Sequence, residues 1–441
     1  MSPWRMGPVA EGVSAPLRDV TFRWRVGDAL RALQVYGLAL LLIFAVLAFG
    51  AVENWSLFVM SVTAVVLLGC WCAEQMLRDR LELTVSAIFM PLAGFGAILA
   101  AQYASRATTY LYATQQSLLT AAILGVVFFL ASQALTSHHD VDRFTTVMTV
   151  FGFLLAFFAI VQYFTSPHRI YWTIRPPDAG LVFGPYVNRN HFAGIMELLM
   201  PLALVNTFDE HRPTNTRALF GFMSALMVSS VVLSRSRAGI IALAAESIFF
   251  YVLFSPAKRR YFTIAIPLIL ALALILGVWL GGGGTLERFA SVDNTRARIA
   301  LDSLRMVPRH PWLGWGAGTF ESVYPRFRSY TSQFAVDHAH NDYLEALVET
   351  GVAGLTMITA FVFLFYRTAW KSLATRTWSR TGPRVATLVG CTGLLVHSFA
   401  DFNMHIPANA ATFLVMAAIA VNTSAAKYAG SSRQIHWERR V

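Results

Sequence analysis

Charge is what this 441-residue chain has least of: Asp, Glu, Lys and Arg together make up 13%. A soluble domain carries roughly 25%, so the shortfall argues against a water-solvated globule. Lysine is nearly missing, with Lys258, Lys371 and Lys427 the three among 35 basic residues. Cysteine is scarce too. Cys70, Cys72 and Cys391 lie in apolar stretches, which excludes a disulfide framework and a four-cysteine metal site. There is no internal repeat, and no low-complexity run beyond the four glycines at 281–284. A short apolar segment with a small-residue cleavage site is also lacking at the start. The opening residues, with Arg5, Arg18, Arg23, Arg25 and Arg31, therefore read as a cytoplasmic tail rather than a cleavable signal. What remains is hydrophobic: 56% of residues and a mean hydropathy of +0.53. Chains adapted to lipid shed charge in this way.

Apolar runs near 32–51, 55–76, 83–104, 118–135, 145–164, 191–207, 217–234, 238–254, 261–280, 342–366, 384–402 and 406–424 meet or approach the roughly twenty residues that cross a bilayer as a helix. The expectation is an all-α polytopic membrane protein of about twelve spans. It divides into a tail (1–31), nine spans (32–280), a long loop with short helices (281–341), three spans (342–424) and a second tail (425–441). Arg78, Arg80, Arg143, Arg212, Arg217, Lys258, Arg259 and Arg260 all fall in connections on the N-terminal side. Basic loops mark the cytoplasm, so both termini are expected inside and the 281–341 loop outside.

The outer side nevertheless carries many arginines and no lysine. That is the pattern for planar, bidentate binding of phosphate or carboxylate. "NRNHFAG" places Arg189, Asn190 and His191 at the start of a span, where free backbone N–H groups favour an anion. "SRSRAG" holds Arg235 and Arg237 on a tight hairpin. "NTRARIALDSLRM" has Ala297, Ala300, Leu301 and Leu304 at helical spacing, with Arg296 flanking that face and Arg298, Asp302 and Arg305 opposite. In "VDHAHNDYLEALVETGVAGL", Asn341, Glu345 and Glu349 recur every four residues. Carboxylates inside a span face the bundle interior, so the stripe looks inward with His338 and His340 at its mouth. Histidine is suited to proton exchange near neutral pH. A metal held by His338, His340 and Asp342 is the weaker reading, because no second His/Asp set converges on them in the sequence. "HSFADFNMHIPANA" adds Asp401, Asn403 and His405 to the same side.

These stretches together resemble the O-antigen ligase/polymerase family of bacterial envelope glycosyltransferases. The match runs through His340-Asn341, nine residues, then Gly351-x-x-Gly354; through "SRSRAG" with Arg237; and through the loop arginine ahead of "PWLGWGAGTF". It covers roughly residues 184 to 410. The resemblance implies a GT-C-like enzyme of the bacterial inner membrane that works at the periplasmic face without a metal or other cofactor. Its donor would be an undecaprenyl-diphosphate-linked glycan. Its acceptor would be lipid A–core for a ligase, the preferred reading, or a lipid-linked glycan for a polymerase. Membrane lipid, and no nucleic acid, completes the expected partners. His340 would be the base, with Arg189, Arg237 and Arg296 on the diphosphate. His338, Arg298, Arg235, Asn341, His191 and Asp401 stand behind them.

A rival from another class is a twelve-span anion transporter. It predicts related halves and discontinuous helices near the midplane, whereas here the polar residues gather on one side and the long loop interrupts any symmetry.

Overall fold

The structure is a computed structural model that describes residues 17–79, 81–176, 182–253, 295–331, 335–373 and 378–422. The expected ninth span at 261–280, the Lys258 to Arg260 cluster, the glycines at 281–284 and the closing tail from 425 lie outside the described residues.

All regular structure described is helical apart from two isolated bridges. Eight helices precede the undescribed stretch: α1 (Leu17–Leu47), α2 (Asn54–Leu77), α3 (Phe89–Ala104), α4 (Leu111–Ala134), α5 (His138–Thr165), α6 (Arg189–Thr207), α7 (Thr214–Leu233) and α8 (Arg237–Leu253). After it come α9 (Thr295–Met306), α10 (Asp342–Leu373), α11 (Trp378–His397) and α12 (Pro407–Val421). Eleven of these coincide with expected spans, and α9 is the helix expected in the long loop.

Among the described residues six helices are long and apolar enough to cross a membrane: Arg25–Leu47, Asn54–Leu77, Leu111–Ala134, His138–Thr165, Thr214–Leu233 and Asp342–Leu373. Phe89–Ala104 and Pro407–Val421 are apolar but shorter. Leu40, Phe58, Val65 and Phe363 are all more than half exposed on the outside of this group. A soluble protein would not tolerate so broad an apolar surface; lipid tails match it. A polytopic membrane protein therefore fits.

Two helices sit at the centre. Every residue of α6 from His191 to Val205 is buried, as is every residue of α12. Their N-termini lie at the same end of the bundle, so polar residues there are walled by protein rather than lipid.

Local chemistry sets the helix starts. Ser137 caps α5 by accepting from Asp140 N at 3.1 Å, and Asn188 caps α6 by accepting from Asn190 N at 2.9 Å. Asn341 accepts from Leu344 N at 3.0 Å at the head of α10. Each satisfies an N–H that the helix leaves unpaired.

Helix α10 is broken at Gly351, which takes φ 65° and ψ −166°. An added Cβ there would collide with the Trp312 backbone. The freed backbone groups are paired by the loop: Trp315 N and Gly316 N donate to Val348 O and Glu349 O at 3.0 Å, while Val352 N and Ala353 N donate to Pro311 O and Trp312 O. "PWLGWGAG" thus wedges into the break, which meets the requirement that buried backbone polar groups find partners.

The buried face of α9 is not the apolar row seen in its sequence. Leu301 and Leu304 are more than half exposed, and the buried face is Ile299, Asp302, Ser303 and Met306. Asp302 decides it, because its Oδ2 accepts from Ser329 N at 2.9 Å and from Ser329 Oγ at 3.1 Å.

Candidate functional site

The head of α10, the α11–α12 connection, the N-terminus of α6 and helix α9 meet at one end of the bundle. Phe402 is their hub. The His338 ring stacks on it at 4.0 Å, with His191 at 4.6 Å edge-on and His340 at 5.3 Å.

Around His338 lies a closed ionic network. Glu345, which is buried, accepts from Ala339 N at 2.7 Å, and its other oxygen is 2.7 Å from His338 Nδ1 and 3.3 Å from His405 Nε2. His405 Nδ1 is 2.9 Å from Asp342 Oδ1, and Asp342 Oδ2 accepts from Met404 N at 3.1 Å. Burial alone would lower the His405 pKa. Glu345, then Asp342 and Glu349, outweigh that and raise it to about 10. His405 is therefore an imidazolium at neutral pH. His338, Glu345 and His405 also hold ligand atoms within 4.8 Å of one another. That differs from the His338–His340–Asp342 set considered from sequence.

Around His340 the arrangement is looser. His340 has a left-handed backbone, φ 51°, which is unusual for a residue with a side chain. Its Nδ1 is 3.6 Å from Asp401 Oδ1, slightly longer than a hydrogen bond. No described residue makes a hydrogen bond to Nε2. Asp401 is fully buried, accepts from Asn190, and lies 3.8 Å from His191 and 3.4 Å from Arg296. Burial would raise its carboxyl, but His340, His191, Arg296 and His397 hold it well below the usual carboxylate range. Arg296 also donates to Ala400 O at 2.7 Å.

The expected residues can now be placed. His340, His338, Arg296, His191 and Asp401 come together around Phe402. Asn341 caps α10 and donates to Phe399 O at 3.0 Å. Arg298 is exposed on α9, whereas Arg296 reaches Asp401. Arg235, in a left-handed turn, donates to Tyr163 at 2.9 Å. Arg189 and Arg237 open α6 and α8. These two N-termini pack closely, since a Cβ on Gly239 would lie 2.8 Å from Ala193 Cβ.

The inward stripe holds for its carboxylates. Glu345 and Glu349 are buried, and Glu349 accepts from Gly318 N at 2.8 Å and Phe320 N at 2.9 Å, which ties the loop to α10. Phe402, the bond from Asn190 to Asp401 and the pairing of His405 with Glu345 were missed. "HSFADFNMHIPANA" carried the hint, through its aromatic residue between an acid and a histidine.

Next to this centre is a cavity of about 860 Å³. Much of its lining is apolar, with Leu92, Phe95, Leu124, Ile358, Phe361 and Phe413. Its polar part includes Gln116, Ser117, Thr120, Asp337 and His338.

Fold and site define a class: a polytopic helical membrane protein with a buried histidine–carboxylate–arginine centre at one end of its bundle. Residues 222–359 match the model of the O-antigen ligase family, and the match supports the O-antigen ligase/polymerase family as the one the motifs indicate. The matched stretch takes in most of α7, all of α8 and α9, the turn with His338 and His340, and α10 past its break. It supports ligase- or polymerase-type activity. A comparison with curated proteins finds no match.

Proposed function

We propose that the protein is an O-antigen ligase, transferring an undecaprenyl-diphosphate-linked glycan to lipid A–core with inversion and without a metal. It would do so at the periplasmic face of the bacterial inner membrane, in a bundle of about twelve spans with both termini cytoplasmic. The observation that carries this reading is the convergence of His340, Asp401 and Arg296 beside the paired N-termini of α6 and α8, with His340, Arg296 and α8 inside the family-matched segment. Arg189 and Arg237 stand on those N-termini, where helix dipole and guanidinium both favour an anion.

In the reaction the acceptor hydroxyl oxygen bonds to the anomeric carbon as the bond from that carbon to the diphosphate breaks. The bonding pair stays on the diphosphate oxygen, where Arg189, Arg237 and Arg296 offset the growing charge. The acceptor proton goes to His340 Nε2. Asp401 faces Nδ1 and stabilises the imidazolium that forms.

A polymerase of the same family, adding the glycan to a lipid-linked chain, shares all these parts. Incubating the purified protein with lipid-linked glycan and each acceptor separates them. Product on lipid A–core is expected; product only on the lipid-linked chain makes it a polymerase, and product on neither removes both.

A further inference from the structure

The cavity beside Phe402 contains a chemical mismatch with the donor's diphosphate. Among the described residues, its lining has no arginine and no lysine, but it has three acids: Asp337, Asp342 and Glu349. His405 is its cationic group, and that charge is already committed to Asp342 and Glu345. A diphosphate placed there would face carboxylates without a free guanidinium, and like charges brought together cost several kcal/mol. The arginines are elsewhere: Arg189, Arg237 and Arg296 are not among the lining residues.

The uncommitted groups point to a different ligand. Gln116, Ser117 and Thr120 sit on α4 at i, i+1 and i+4, and Asp337 lines the same cavity. None of the four makes a hydrogen bond within the described protein. His338, which also lines the cavity, is committed at Nδ1 alone, to Glu345 at 2.7 Å, and its Nε2 has no hydrogen bond within the described protein. Amide, hydroxyl, carboxylate and imidazole together donate and accept in several directions. That suits a ring bearing several hydroxyls. The apolar walls suit an alkyl chain, and concave sites with a few placed polar groups are where such ligands bind.

We propose that this cavity is a sugar subsite on the acceptor side, binding a neutral, hydroxyl-rich sugar through Gln116, Ser117, Asp337 and His338, with an alkyl chain against its apolar lining. The diphosphate stays with the arginines. This rests on the glycosyl-transfer reading for its role, though not for its chemistry. It also gives His338 a function of its own, separate from that of His340.

The test uses the full chain in lipid nanodiscs with two probes, an octyl glycoside and an octyl diphosphate. The glycoside is expected to bind and to compete with the acceptor but not with the donor. Gln116→Ala and Asp337→Asn should each weaken it about tenfold, the effect of losing one hydrogen bond of about 1.4 kcal/mol. Neither should change the donor KM. Ser117→Ala, the smallest change, guards against misfolding and should act in the same direction. Arg237→Lys should do the reverse, weakening the diphosphate and sparing the glycoside. Loss of octyl diphosphate binding in the Gln116 and Asp337 variants, with the glycoside unaffected, overturns the proposal. If the glycoside binds as expected but no acceptor is glycosylated, the subsite stands and the ligase reading falls. If transfer proceeds but glycoside binding ignores all three variants, only the subsite falls.

Discussion

The His338 and His340 faces of the site that meets at Phe402 differ in how completely their polar groups are satisfied. On the His338 face, Glu345 and Asp342 share their oxygens among two histidines and two backbone amides, at 2.7–3.3 Å. On the His340 face, the histidine stands 3.6 Å from Asp401, and Nδ1 is buried without a hydrogen bond. A satisfied network fixes shape. An incomplete one leaves a group able to accept a proton, and catalytic hydrogen bonds often tighten only once substrate arrives. The first face reads as the frame, the second as the working part.

The largest effect that tests this contrast is His340→Ala. Transfer should fall by roughly a hundredfold to ten-thousandfold, the range for removing a general base, while the protein inserts normally. His338→Ala should retain more activity and raise the acceptor KM. Equal losses in both variants, measured by product formation at saturating donor, would erase the distinction.

Next come the arginines. Arg237→Lys and Arg296→Lys keep the charge but lose the planar fork, and a fall of about tenfold to a hundredfold is expected. Arg298→Lys should stay within about twofold, because Arg298 is exposed on α9 and surface changes cost about 0.5 kcal/mol or less. Matching losses at 296 and 298 would mean that α9 is placed differently in the working enzyme.

That pair also shows what the sequence could reveal. The order His340-Asn341, then Gly351 and Gly354, was readable because each residue answers a local need: a cap, a left-handed break, a close approach. The inward stripe was readable because a carboxylate has few places to go in a bundle. The buried face of α9 was not. Leu301 and Leu304 look like core by spacing, yet Asp302 turns the helix by accepting from Ser329, a residue some twenty-seven positions away. The start of α3 shifts for a similar reason. The stretch before α3 is extended at Thr84, whose backbone pairs with the Gln133 side chain at 2.8 and 2.9 Å. Hydropathy cannot show a partner forty-nine residues on.

A smaller effect on rate, but a clear one on stability, is expected at the frame. Glu345→Ala leaves the His405 imidazolium with one counter-ion fewer in a buried place. Breaking a buried pair costs about 3–5 kcal/mol, so the melting temperature should drop. Glu345→Gln should lose less, since its amide oxygen still accepts from Ala339 N. If Glu345→Ala melts like the wild type, the network does not hold the frame together.

The smallest effect is in pH. His405 is raised from the ordinary 6.5 to about 10 in the folded protein. A raised histidine contributes stability that is fully present below its unfolded value and is lost as pH rises through the folded one. Between pH 7 and 9 the unfolded chain has already released the proton while the folded one keeps it, so this contribution should fall steadily and at its steepest across that window, and it vanishes above about 10. Asp401 runs the other way. Its carboxyl is held down, so its contribution is present above the unfolded value and disappears only as strong acid protonates it. Melting curves of the wild type and His405→Gln, taken from pH 6 to 11, separate the two faces. The difference between the curves should shrink toward zero at the alkaline end. A difference that persists undiminished past pH 10 would mean that His405 packs rather than pairs, and the frame would then rest on shape instead of charge.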